Sequence, residues 1–222
     1  MFATIVPISS LLAGVALLLL GSGLFGTLLA VRGGLEGFPD IVLGLIMSSY
    51  FVGFLIGTWL GSQVIRRVGH IRTFAICAAV AACTGLLHPM WVDPWFWALL
   101  RVLTGISLVG LYTVIESWLN THAASEQRGR VFASYMVVNL AALAISQWLI
   151  LLSPPSGFML FSLVAIFISL SLIPIAMTRL DQPQTSSHAS INVRQLYQVA
   201  PVGVVGSLVS GLAMGAFWGL AP

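Results

Sequence analysis

Apolar residues run along this chain in blocks of about 20, with no alternation of period two. Charged residues, prolines and glycines divide the chain into six full blocks: Ile5–Val31, Ile41–Ile65, Thr73–Leu87, Pro94–Leu119, Val131–Leu152 and Phe158–Met177. The third is short and can extend to Trp91, and a seventh, Val199–Pro222, is incomplete. Lipid offers the backbone no partners, so a spanning segment must be a helix or part of a closed barrel. Unbroken apolar runs lack the period of barrel strands and predict helices.

Composition turns that pattern into a fold class. The chain is 59% hydrophobic and 7% charged, with a mean hydropathy of +1.03, far from soluble averages of about 45–50% apolar and about 25% charged. The expectation is an all-α membrane protein: a six-helix transmembrane bundle over 1–177, a polar linker over 178–198, and a partial seventh helix over 199–222. The N-terminal stretch MFATIVPISSLLAGVALLLL has no positive flank and its apolar run continues to Val31. It reads as a retained first span rather than a signal peptide.

Every basic side chain other than histidine is arginine, and their placement predicts topology. Arg66, Arg67, Arg72, Arg128, Arg130, Arg179 and Arg194 fall on one side, against Arg32 on the other, which predicts a cytoplasmic N-terminus. Trp91, Trp95 and Trp97 at the opposite ends of spans three and four, and Trp118 at the arginine-rich end, read as interfacial belts. The net charge of +3 is small and carries no nucleic-acid signal. Cys77 and Cys83 share one span, about 9 Å apart along a helix, and read as unpaired core residues.

One charge remains inside the membrane. Arg101 lies in the body of span four, where an ionisable group is costly and marks a functional position. At 100° per residue, Thr104, Gly105, Tyr112 and Glu116 fall within about 60° of it. Span five continues the pattern with Tyr135, Asn139 and Ser146, whereas spans three and six offer only Thr, Ser and Cys. Spans four and five, joined by one and two, are therefore expected to line a cavity. The candidate residues for solute or proton coupling are Arg101, Thr104, Tyr112, Tyr135 and Asn139. The alternative for Arg101 is a structural arginine bonded to backbone carbonyls.

Glu116, near the end of span four, lies within reach of the loop carrying Arg66, Arg67, Gly69 and Arg72, or of Arg128 and Arg130. These residues are the candidate cytoplasmic gate, in which an ion pair forms in one conformation and breaks in the other. A solvated helix-end charge is the competing account. Gly53, Gly57 and Gly61 recur every four residues on one stripe of span two, suited to close packing within the bundle or to sliding between two halves. Gly21, Gly23 and Gly26 match a dinucleotide spacing but lie inside a span with no strand before them, so packing is the better reading. His70, His88, His122 and His188 fall at span ends or in loops and read as surface residues without metal-ligand spacing. No cofactor, metal site or enzymatic motif is expected.

Taken together, these features resemble the N-terminal half of a major facilitator superfamily transporter. Arg101-Val-Leu-Thr-Gly105 is similar to the superfamily's fourth-span motif, and IRRVGHIRTF, residues 65–74, occupies the place of its loop-2/3 signature, with Gly69 aligned to the second glycine. The signature's aspartate position falls on Arg66. The strings RVGHIR, GLYTVIESWLN and RGRVFASYM resemble the YcaD-like group across the chain. The resemblance implies two three-helix repeats and a secondary transporter of the inner membrane. It would move a small solute, anionic if Arg101 binds it, or couple to protons, by alternating access. It also implies a second six-span half, so the chain is expected to be incomplete. The alternative is a non-transporting remnant or an assembly partner of another half or another copy.

Overall fold

The computed structural model describes residues 8–123, 126–178, 183 and 193–220. They divide into two compact units, Met1–Pro183 and Gln184–Pro222. The first contains α1 (Ser9–Leu35), α2 (Asp40–Val68), α3 (His70–Met90), α4 (Pro94–His122), α5 (Arg128–Leu149, with a 3-10 extension to Leu152), α6 (Met159–Leu170) and α7 (Leu172–Ala176). The second contains α8 (Val193–Val199) and α9 (Pro201–Leu220). Six helices, counting α6 and α7 as one, are long and apolar enough to cross a membrane. No strand occurs among the described residues.

The helices run further than the apolar blocks predict. α2 continues through Arg66 and Arg67, whose charges in its last turn suit the negative end of the helix dipole. α3 resumes at His70, so the connection between spans two and three shrinks to Gly69, whose φ of +84° few side-chain-bearing residues tolerate. α1 ends in a Schellman arrangement: Phe38 N–H donates to Gly33 O and Gly37 N–H to Gly34 O, each at 3.1 Å, with Gly37 at φ +75°. α4 starts where its sequence dictates, with Asp93 Oδ1 accepting from Phe96 N–H at 2.8 Å and Pro94 in the first turn. The sixth span breaks at Ser171, because Pro174 lacks the N–H that would bond one turn back.

α4 is the most enclosed helix. Of its most apolar 18 residues 61% are buried, against 17% in both α2 and α5, which leave large apolar side chains such as Leu55, Trp59, Leu140 and Trp148 exposed. α4 packs along α2 and α3, while α1 packs against α5 and α6, and α3 against α6. The α2–α4 contact is backbone to backbone. A Cβ at Gly53 would fall on the Val102 carbonyl, and one at Gly105 on the Tyr50 carbonyl. The glycine stripe thus faces span four inside the bundle. Gly21 meets α6 at Ile168, and Gly23 meets α5 at Ser146, as packing glycines rather than phosphate ligands.

Two expectations are corrected here. Trp97 and Trp118 are fully buried, not interfacial: Trp97 Nε1 donates to the carbonyls of His88 (3.0 Å) and Trp91 (3.1 Å). Trp91 and Trp95 are exposed, as belt residues would be. His70 and His88 are also buried, because α3 extends beyond its apolar block and carries both into contact with α4.

In the second unit, α8 occupies the last residues of the expected linker. The rest of that linker, apart from Thr178 and Pro183, lies outside the described residues, as do Arg179 and His188.

A polar track on the inner helices

Span four carries two polar centres, one near each end. Arg101 is 7% exposed, and its guanidinium lies 4.8 Å from the centroid of the Tyr50 ring on α2. This cation–π contact is its main partner. Arg101 makes no ion pair among the described residues, and its buried Nε has no hydrogen-bond acceptor. The carbonyl-bonded structural arginine expected as the alternative is absent from the described contacts. A buried charge held only by a ring face has donors in reserve for a further acceptor.

Further along α4, Tyr112 lies beside Ser22 of α1 and close to Glu116. Tyr135 of α5 donates through its hydroxyl to Glu116 Oε1 at 3.4 Å, and Asn139 Nδ2 donates to the Tyr135 carbonyl at 3.0 Å. Next to this cluster, Thr113, Glu116, Ser117, Asn120 and Phe132 line an open hollow of about 380 Å³. Ser22, Tyr50, Arg101, Tyr112, Glu116, Tyr135 and Asn139 form a polar track contributed by α1, α2, α4 and α5.

Thr104 does not join it. It is fully buried, donates to Leu100 O at 2.8 Å and meets Thr84 Oγ1 of α3 at 2.9 Å, so it fastens two helices. Sixty degrees around the helix suffices to turn it from the track to the neighbour. Glu116 likewise departs from the expected latch. Arg66, Arg67, Arg72, Arg128 and Arg130 are exposed, and none forms an ion pair with it among the described residues. Its partner in this conformation is a tyrosine hydroxyl. Gly69 is the single residue between α2 and α3 at the arginine-rich end.

Tyr50 and Ser22 are not singled out by the sequence, and Arg32 enters it only as a topology signal. Tyr50 could have been found, since it continues the stripe of Gly53, Gly57 and Gly61 one turn back, and that stripe faces α4. Arg32 stands at the opposite end from the arginine cluster, paired with Glu36 at 2.6 Å and donating to the carbonyls of Pro155 (3.2 Å) and Ser156. It ties the end of α1 to the α5–α6 connection. Carbonyl acceptors leave no trace in residue type.

No family model and no solved structure matches the chain. Curated relatives do. An uncharacterized MFS-type transporter YcaD of Salmonella paratyphi A is 32% identical over 228 residues, covering 100% of this chain and 59% of the relative. The protein of the same name from Salmonella arizonae is 32% identical, covering 97% of this chain and 57% of its own length. That from Escherichia fergusonii is 30% identical with the same coverage of 97% and 57%. The chain therefore spans somewhat over half the length of these relatives.

Proposed function

We infer, from a chain that is homologous over its whole length to MFS-type transporters of the YcaD group, that it forms the first six-helix half of a secondary transporter in the inner membrane. The chain is an integral, multi-pass membrane protein by its six spanning helices and its homologues. Its N-terminus is assigned to the cytoplasm by the arginine bias. The transported species is a small solute, and the observation that carries its class is Arg101, a buried cation with a donor unused. Such a group suits an anion.

In this reading the track on α1, α2, α4 and α5 is one wall of the transport path, and a second six-helix body supplies the other. The low burial of α2 and α5 supports an apposed partner on those helices. In the arginine-rich half, Glu116 exchanges the Tyr135 hydroxyl for one of the neighbouring arginines as the path closes. The same low burial suits the second reading, in which the chain is an assembly partner that moves nothing itself.

The two readings separate in everted vesicles from cells that make the protein, compared with vesicles from cells lacking it, using a panel of small anionic, cationic and neutral solutes. Faster movement of at least one anion is expected, and slowing of that movement by Tyr135→Phe. Identical behaviour of both vesicle types across the panel argues for the assembly role.

A further inference from the structure

His88 sits in the last turn of α3, fully buried, with its ring 5.1 Å from Phe25 of α1 and 5.3 Å from Trp97 of α4. Its Nδ1 lies 2.6 Å from the Thr84 carbonyl. A carbonyl only accepts, so Nδ1 carries the proton and Nε2 presents a lone pair. That Nε2 is buried and has no hydrogen-bond partner among the described residues. The surrounding structure holds it there: Trp97 Nε1 bonds the His88 carbonyl, and Thr84 Oγ1 meets Thr104 Oγ1 across the same helix pair.

The charged surroundings are simple. Arg101 of α4 is close enough for its charge to act on His88. α6 and α7 have no ionisable side chain. Of the other groups towards this end, Arg32 and Glu36 of α1 are paired with each other, Tyr50 of α2 lies under Arg101, Asp40 is exposed, and Asp93 caps α4. No carboxylate pairs with His88 among the described residues. A proton added at Nε2 would therefore create a second cation beside Arg101, enclosed by aromatic rings and without an acceptor.

We propose that His88 Nε2 is a proton-binding site whose occupation opens the Arg32 end of the bundle. The enclosed geometry accommodates only the neutral ring, so binding the proton and admitting water or a counter-anion between α1, α3 and α4 are one event. Closing the end expels the proton. This deepens the transporter reading by giving it a proton site, but the opening it requires involves no solute, so its failure leaves that reading standing.

The test uses the full chain in lipid nanodiscs with ¹⁵N-labelled histidine. At alkaline pH the His88 signals should report the Nδ1–H tautomer. On acidification they should convert to imidazolium together with a rise of about tenfold or more in amide exchange over residues 84–97, after correction for intrinsic pH dependence. His88→Gln should abolish the rise and assigns the signal. If that variant does not fold, the signal is assigned by elimination with His70, His122 and His188 variants. A His88 that stays neutral until global unfolding, or that titrates without any change in exchange, overturns the proposal.

Discussion

Arg101→Ala should lower solute movement by about 100-fold while leaving membrane insertion and helix content unchanged. The guanidinium is buried, stacked on Tyr50 and unpaired by any carboxylate among the described residues. Removing it deletes no ion pair of the resting bundle, yet it removes the positive charge of the track in that half. Hydrogen bonds to charged groups contribute about 1.5–3 kcal/mol, which corresponds to factors of about 10 to 100 in binding. Arg101→Lys should recover little, since an ammonium cannot reproduce the planar face on the Tyr50 ring or the fork of donors. Tyr50→Phe, which keeps the ring, should retain most of the activity. Transport rates normalised to inserted protein distinguish these cases, and wild-type rates in Arg101→Ala would remove Arg101 from the path.

Gly53→Val and Gly105→Val should each prevent correct assembly of the bundle, or destabilise it by about 3 kcal/mol or more, the upper range for overpacked cores. The clash at both positions is with backbone: the Val102 carbonyl for Gly53 and the Tyr50 carbonyl for Gly105. Backbone on a packed helix cannot swing aside as a side-chain tip can, so α2 and α4 must separate and lose the contact along their length. By contrast, Gly44→Ala and Gly26→Ala meet open space and should leave stability within about 0.5 kcal/mol. Thermal unfolding of the four variants in detergent is the comparison to make. Equal stability of Gly105→Val and Gly44→Ala would contradict the packing described.

What the chain disclosed about itself follows from the reach of each signal. Apolar run length is a property of single segments, and all six spans were legible from it. So was the packing face of α2, because a four-residue glycine spacing fixes a stripe whatever lies opposite. Arg101 stood out because lipid penalises charge wherever the neighbours are. Partners were not legible. Glu116 reads as one half of an ion pair until the register of α5 brings the Tyr135 hydroxyl to it. Thr104 shares a helical face with Arg101, but the crossing of α3 covers that edge and takes its hydroxyl. His88, Trp97 and Trp118 lie near helix ends, where sequence position suggests water or headgroups. Only the contacts of α3 and α4 with their neighbours show that these ends are enclosed. Helix termini lie beyond the apolar blocks for a related reason: arginines end an apolar block, but in a last turn they favour the helix that carries them.

On the transporter reading, the track on α1, α2, α4 and α5 is exposed to the transport path while α3 and α6 are not. Single cysteines at Ser22 and Asn139 on the track, at Thr113 in the hollow beside it, and at Ala78 and Ala165 on α3 and α6, in a background with Cys77 and Cys83 replaced by alanine, measure this with a membrane-impermeant thiol reagent. Labelling of the first three positions, slowed when the transported solute is present, and protection of Ala78→Cys and Ala165→Cys are expected. Equal labelling of both sets, or labelling of the α3 and α6 positions alone, would contradict it.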